Sequence, residues 1–247
     1  MSEGSHRYIL SNRRPNNKLR EDCIAVALKE ALIGLRLVHN TKRVHRTFNQ
    51  GDIFVHIDDN ATDSGRILIK LAFEASVYDS ENINTNENEH EEASSSAPLL
   101  NVKGITKWGA APEAFERDND TTTPKSDIWL SGITSLELAY GDLPVSNREE
   151  LDCIIMKLRE KKRLPRSLEK LLKKKGIVKK TLDLFKRKVF LKEFERMVLN
   201  CLCEDLEKRP TVDEILNTPF FTKQRDMKKF EKFLFNGKNP GKRPIDN

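Results

Sequence analysis

One long amphipathic segment constrains the fold of this chain more than any other feature. Between Leu19 and His39, apolar side chains recur at spacings of three and four residues: Ile24, Ala27, Leu28, Ala31, Leu32, Leu35 and Val38. This spacing gathers them on one broad face of an α-helix, which must be buried against other elements. Asn40 and Thr41 end the pattern. We therefore expect a long α-helix whose apolar face is buried in the core.

Composition excludes several classes of protein. The 247 residues are 37% hydrophobic and 33% charged, which is enough apolar material for a core. No apolar run approaches the roughly 18 to 20 residues that cross a bilayer. The start, Met1–Gly4, is polar and has no signal-peptide pattern. We expect a cytoplasmic protein, with the nucleus as a second location.

The four cysteines are Cys23, Cys153, Cys201 and Cys203. They are sparse for a chain of this length, and the last two are too close together for a C-x-x-C zinc site. Without a histidine near them, they are predicted to be buried, reduced thiols of an intracellular protein.

Two β-branched runs follow the first helix. Residues 53–57 and 67–71 are separated by turn-forming residues, which predicts a β-hairpin. Residues 79–98 then form a low-complexity stretch with six acidic residues and no Lys or Arg. Such a stretch cannot bury enough apolar surface to offset its ordering entropy, so we expect it to be disordered.

The segment between helix and hairpin, Val44–Ile53, resembles the catalytic loop H-R-D-x-K-x-x-N of protein kinases. His45, Arg46 and Gly51 stand where that family has them. Three functional positions differ: the catalytic Asp is replaced by Thr47, the Lys by Asn49, and the metal-binding Asn by Asp52. The resemblance therefore implies a kinase frame whose catalytic loop is degenerate.

Later blocks extend this resemblance in the kinase order. They are Ala111–Glu113 for A-P-E, Lys125–Ala139 for K-x-D-I-W-S-x-G-I-x-x-x-E-L-A, Asp205–Val212 for D-P-x-K-R-P-T, and Glu214–Phe221 for the closing H-P-F-F helix. Together with the first helix they cover residues 19–221. The chain is similar to serine/threonine kinases of the germinal-centre, fray-like group, especially their plant branch.

This resemblance implies a mainly α structure, the helical C-terminal lobe of a protein-kinase-like fold with a small β-hairpin. Residues 1–18 would be a hinge-proximal segment, 19–221 the lobe, and 222–247 a basic tail that contains a short docking helix. Residues 79–98 would be an insertion in the activation segment. The G-x-G-x-x-G loop, the V-A-I-K strand and a preceding helix with its pairing Glu are not found. We therefore expect the N-lobe to be absent.

The metal-binding D-F-G of kinases falls near Ala72–Ala75 in this chain. One alignment places Phe73 on its Asp, and another deletes about three residues to match Ser76–Tyr78; neither supplies an Asp. Asp52 and Glu74 remain as weak metal candidates, with solvated loop carboxylates as the alternative. No cofactor is expected, and ATP with Mg²⁺ would bind only if the chain were an active kinase.

Other matched residues have structural roles in the resembled fold. Glu113 would pair with Arg209, which anchors the end of the activation segment. Asp127 would accept hydrogen bonds from the backbone of the loop at His45 and Arg46. Residues that hold a kinase fold are present, whereas residues that only perform its chemistry are replaced.

The segment 157–192 is strongly basic, with sixteen Lys and Arg against three acidic residues. Interleaved leucines predict basic helices with apolar undersides. Such a surface could bind polyanions, or it could be a solvated face. No motif for base recognition accompanies it, so specific nucleic-acid binding is not expected.

Three functions compete. The first is a catalytically inactive pseudokinase that acts as a protein-binding or regulatory scaffold. The second is an active serine/threonine kinase that uses displaced residues or an N-lobe supplied from elsewhere. The third is a basic polyanion-binding module.

Overall fold

The fold was described from a computed structural model. It describes residue 5 and residues 19–57, 67–72, 78–79, 109–115, 122–141, 143–168, 171–172, 190–222 and 227–235. The described helices are α1 (Glu21–Asn40), α2 (Pro124–Tyr140), α3 (Arg148–Lys161), α4 (Lys192–Cys201), α5 (Val212–Leu216), α6 (Pro219–Thr222) and α7 (Met227–Phe235), with a 3₁₀ turn at Pro112–Phe115. The described strands are β1 (Arg43–Val44), β2 (Ile53–Ile57), β3 (Ile67–Leu71) and β4 (Tyr78–Asp79).

Helix α1 is the predicted amphipathic helix and lies in the centre of the fold. Its apolar stripe is buried, including Ile24, Leu28 and Leu35 at 0% exposure. It packs against the hairpin strand β3 and against α2, α5 and α7. The mainly α architecture that the resemblance implies is confirmed in the described residues.

Helix α2 is buried on nearly all sides. It begins at a capping box formed by Thr123 and Ser126, with Pro124 in the first turn, and Gly141 caps its end at a φ of 82°. The hydroxyl of Ser135 donates to the carbonyl of Ser131 on the preceding turn, so this buried polar group is satisfied inside the helix. Because α2 is buried, its position is fixed, and it supports the loops that cross it.

The predicted hairpin is confirmed with the predicted strand bounds. Strands β2 and β3 are antiparallel, and Ile53 pairs with Leu71 while Val55 pairs with Ile69. A second antiparallel pair joins β1 to β4, where Arg43 is opposite Asp79. Asp79, the first residue of the predicted insertion, is therefore in a strand, and residues 80–98 lie outside the described part of the chain.

The predicted docking helix in the tail is α7. Its Phe230 and Leu234 are buried, and the helix packs against α1. This part of the predicted tail shares the core of the preceding residues. Residues 236–247 lie outside the description, as do all of residues 1–18 except Ser5, which forms a bridge with Phe54.

In the described part of the basic segment, α3 ends at Lys161 and residues 162–168 are not helical, so the predicted basic helices are not found there. The predicted apolar residues of this part are nevertheless buried: Leu158, Leu164, Leu168 and Leu171. Residues 173–189 lie outside the description, so predictions for that part remain predictions. Among the described helices, none is long and apolar enough to cross a membrane.

All four cysteines are free. Cys23 and Cys201 are buried as predicted, but Cys153 and Cys203 are only partly buried. Cys153 lies within α3 and Cys203 follows the end of α4. Burial raises the pKa of the Cys201 thiol to about 12, and a weaker hydrogen bond from Ser131 opposes this shift. Cys201 is therefore a core residue and not a nucleophile.

Candidate active-site loop and its anchors

Asp127 of α2 anchors the loop between β1 and β2 through hydrogen bonds. This carboxylate is fully buried and accepts the backbone N–H of His45 at 2.8 Å and that of Arg46 at 2.7 Å. Arg46 has a φ of 66°, a left-handed conformation that is unfavourable for a non-glycine residue. The two hydrogen bonds to Asp127 hold the backbone in this conformation.

A third hydrogen bond to Asp127 comes from helix α1. The Nε2 atom of His39 lies 2.9 Å from the carboxylate Oδ2. A carboxylate that already accepts two backbone N–H groups is an acceptor, so His39 donates from Nε2. Asp127 thereby joins α1, α2 and the loop.

His45 is buried and its ring is oriented by two partners. Its Nε2 lies 2.9 Å from the carbonyl oxygen of Ala72, and its Nδ1 lies 3.4 Å from the hydroxyl of Thr47. Because a carbonyl only accepts, Nε2 carries the proton, and Nδ1 accepts from the Thr47 hydroxyl. A carboxylate at position 47 could not make this donation.

Asn49 forms hydrogen bonds with other residues of the same loop. Its side-chain nitrogen donates to the Asp52 carboxylate and to the Thr47 carbonyl, each at 2.7 Å. Its side-chain oxygen accepts the N–H of Gly51 at 2.6 Å, and its own N–H donates to Asp52 at 3.2 Å. Asn49 is 7% exposed. Residues 49 and 52, two of the three positions that the resemblance predicts to be replaced, are therefore hydrogen-bonded to each other.

The described loop offers few ligands for Mg²⁺. Magnesium takes hard oxygen ligands in octahedral geometry, usually carboxylates with phosphates and water. In the described loop the carboxylate is that of Asp52, whose Oδ2 accepts both hydrogen bonds from Asn49. The described residues contain no cluster of three or more His, Cys, Asp or Glu side chains arranged for a metal. Phe73 and Glu74 lie outside the described part.

Glu113 and Arg209, ninety-six residues apart, form a buried two-pronged ion pair. The guanidinium donates to the two carboxylate oxygens at 2.6 and 3.1 Å. The Ser126 hydroxyl also donates to Glu113, at 2.7 Å. Burial by itself raises the pKa of Glu113, but the hydrogen bonds from Arg209 and Ser126 outweigh it, so this pKa lies below its ordinary value.

The remaining donors of Arg209 are also used. Its Nε donates to the carbonyl of Cys203, and Nη1 donates to that of Lys125, both at 2.9 Å. The guanidinium carbon lies 5.3 Å from the ring centre of Trp129. Arg209 is therefore satisfied at 0% exposure.

Two further anchors of residues 109–115 are absent from the sequence-based predictions. The indole nitrogen of Trp129 donates to Gly109 at 3.0 Å. Arg148 donates to Ala110 at 2.5 Å, and its guanidinium lies 4.5 Å from the ring centre of Phe115. The four-residue spacing to Asp152 is a sequence signal for the helical ion pair of Arg148, but not for these distant contacts.

Comparison with known proteins gives the family. The profile of the protein kinase domain matches residues 1–221. The chain is 30% identical over 216 residues to Germinal center kinase 3 of Caenorhabditis elegans, covering 85% of this chain and 30% of that protein. It is 28% identical over 221 residues to serine/threonine-protein kinase fray2 of Dictyostelium discoideum, covering 90% and 18%.

Human Myosin-IIIa is 29% identical over 208 residues, covering 83% of this chain. The chain spans only 10% of the length of Myosin-IIIa. The predicted likeness to kinases of the germinal-centre, fray-like group is confirmed by the first two relatives. On the match over residues 1–221, the chain belongs to the protein kinase domain family.

Proposed function

We propose that this chain is a catalytically inactive kinase-like protein that acts as a protein-binding or regulatory scaffold. The observation that carries the proposal is the closed loop at Asn49 and Asp52, whose side chains bond to each other. Phosphoryl transfer depends on positioned groups that neutralise charge and orient the nucleophile. Thr47, at the position of the catalytic base, donates to His45 and has no carboxylate to accept a proton.

The contacts that hold a fold support the same proposal. Asp127 keeps its hydrogen bonds to the loop backbone, and Glu113 keeps its ion pair with Arg209. Losing one member of a buried ion pair leaves an uncompensated charge and destabilises the protein strongly. The residues that hold the fold are retained, whereas the catalytic residues of the loop are replaced. This pattern is expected if selection preserves a folded binding protein but not its catalysis.

No Mg²⁺ or ATP is expected to be needed for this function, and the four free cysteines support a reducing location such as the cytoplasm or nucleus. The kinase alternative requires Asp52, alone or with Glu74 or an N-lobe from another chain, to hold the metal. The two proposals differ in whether ATP binding depends on magnesium.

Isothermal titration of the full chain with ATP, with and without magnesium, tests this difference. We expect no magnesium-dependent ATP affinity in the wild type. Magnesium-dependent binding that disappears in Asp52→Ala but persists in Asp213→Ala, a surface carboxylate on α5, would support the kinase alternative.

Polyanion binding by residues 157–192 is a second candidate function, and one observation favours it. In the described part of this segment, several exposed cations have no ion-pair partner. Binding of this kind is compatible with a scaffold, because these cations are not among the residues that anchor the loop.

A further inference from the structure

Four exposed cations lie within six residues at the end of α3. Lys161, Lys162, Arg163 and Arg166 form what we name the basic corner. Within the described residues, none of the four makes an ion pair or a side-chain hydrogen bond. By contrast, Arg148 and Arg159 on the same helix bind Asp152 and Glu204, respectively.

The backbone beneath the basic corner is fixed to the core. The N–H of Leu164 donates to the Glu195 carboxylate at 2.9 Å, and the carbonyl of Pro165 accepts the Tyr140 hydroxyl at 2.5 Å. Leu164 and Leu168 are buried. Buried apolar side chains therefore alternate with exposed cationic side chains in this part of the chain.

The start of the corner is also fixed in conformation. Lys162 caps α3 with a left-handed φ of 49°, and its N–H donates to the Arg159 carbonyl at 3.2 Å. Cations on a fixed backbone lose less conformational freedom on binding than cations on a mobile loop. This favours a ligand site over a solvated face, because part of the ordering has already occurred on folding.

The chemistry of the corner favours carboxylates of a protein over a nucleic acid. Residues 161–168 contain no aromatic side chain on which a base could stack. Duplex-binding proteins commonly neutralise about six to ten phosphates, which is more than one turn with four cations can contact. A short run of Asp and Glu side chains needs only a few cations close together.

We propose that the basic corner binds an acidic segment of a partner protein. This inference rests on the proposed protein-binding function and names the surface and the partner's chemistry. The attraction is between exposed charges, so binding is weak, falls as salt rises and depends on the local cluster rather than on net charge.

The test measures fluorescence anisotropy of a labelled oligoglutamate peptide titrated with the full chain across a salt series. The corner variant is Lys162→Gln/Arg163→Gln/Arg166→Gln. The matched control, Lys70→Gln/Lys228→Gln/Lys232→Gln, removes the same charge from exposed positions on β3 and α7. We expect the corner variant to bind at least about fivefold more weakly and the control to change less than about twofold.

Several results would overturn the proposal. These are no binding by the wild type at low salt, equal losses in both variants, or no loss in the corner variant. Tighter binding of a short duplex DNA than of oligoglutamate, lost in the same variant, would assign the corner to nucleic acid. The double variant Arg163→Gln/Arg166→Gln replaces the triple if the triple unfolds at a lower temperature. None of these readouts uses ATP, so they are independent of whether the chain is an active kinase.

Discussion

At the scale of single residues, buried charges in this protein are compensated by partners from distant parts of the chain. Asp127 accepts two backbone N–H groups of the loop and a ring N–H of His39. Glu113 receives the Arg209 guanidinium and the Ser126 hydroxyl. These groups fix the relative positions of α1, α2, the loop and residues 109–115. Their removal should therefore lower the free energy of unfolding.

Glu113→Ala and Arg209→Ala should each lower the free energy of unfolding by about 3 to 5 kcal/mol, because each leaves a buried charge without its partner. The double variant should lose much less than the sum of the two. Arg159→Ala, which breaks a partly exposed ion pair with Glu204, is the control and should lose about 1 kcal/mol or less. Chemical denaturation of the four proteins measures this cycle, and additive small losses would contradict the ion pair.

The lowered pKa of Glu113 predicts a pH dependence of stability. A carboxyl whose folded-state pKa lies below its unfolded value contributes stability that is present above the unfolded pKa. That contribution is lost as pH falls from about 4.5 through the folded-state pKa. The difference in unfolding free energy between wild type and Glu113→Gln should therefore shrink with acidification through this window. A difference that is constant or grows would contradict the predicted direction.

At the scale of elements, packing between α2 and α4 depends on a glycine. A Cβ built at Gly132 would lie 2.9 Å from Cys201 Cβ and equally close to two side-chain atoms of Leu202. These neighbours are buried in the core and cannot move freely. The close approach brings α4 against the middle of the helix that carries Asp127.

Gly132→Ala should therefore destabilise the protein by about 1 to 3 kcal/mol through overpacking. Gly34→Ala is the matched control in α1, where the added Cβ would meet the Leu71 Cβ of the hairpin at 3.0 Å. Both substitutions gain about 1 kcal/mol of helix propensity, but at Gly34 the added Cβ meets one residue instead of two and at a slightly longer distance, so a smaller net loss is expected. Thermal unfolding compares the two, and equal losses would mean that the α2–α4 contact is not the tighter one.

The sequence predicts the elements better than it predicts the contacts between them. The stripe of α1 and the β-branched runs of β2 and β3 are local patterns, and the structure places both elements within two residues of the predicted bounds. The hydrogen bond from His39 to Asp127 joins residues 88 positions apart, and that from Arg148 to Ala110 joins residues 38 positions apart. Local periodicity cannot predict contacts at such separations. The hydrogen bond from Asn49 to Asp52 is absent from the sequence-based predictions. The local sequence signal is for the bond from the Gly51 N–H to Asn49, because an Asn in a turn commonly bonds the backbone two residues later.

At the scale of the whole molecule, the proposed function requires that the kinase frame can persist without the kinase chemistry. The frame depends on α1, α2, the Asp127 anchor and the Glu113–Arg209 pair, all of which belong to the described core. We infer that the chemistry would depend on the loop at residues 45–52, where the resemblance matches Thr47, Asn49 and Asp52 to catalytic residues of the family and where these three residues form local hydrogen bonds. A protein with such a frame can present surfaces to partners without transferring phosphate.

Incubation of the purified full chain with labelled ATP, a generic protein substrate and magnesium or manganese tests this account most directly. An active serine/threonine kinase serves as the positive control and heat-treated chain as the blank. We predict that transfer to the substrate or to the chain itself does not exceed the blank with either metal. Transfer above the blank that is abolished by Asp52→Ala would contradict the account and identify the chain as a kinase with displaced catalytic residues.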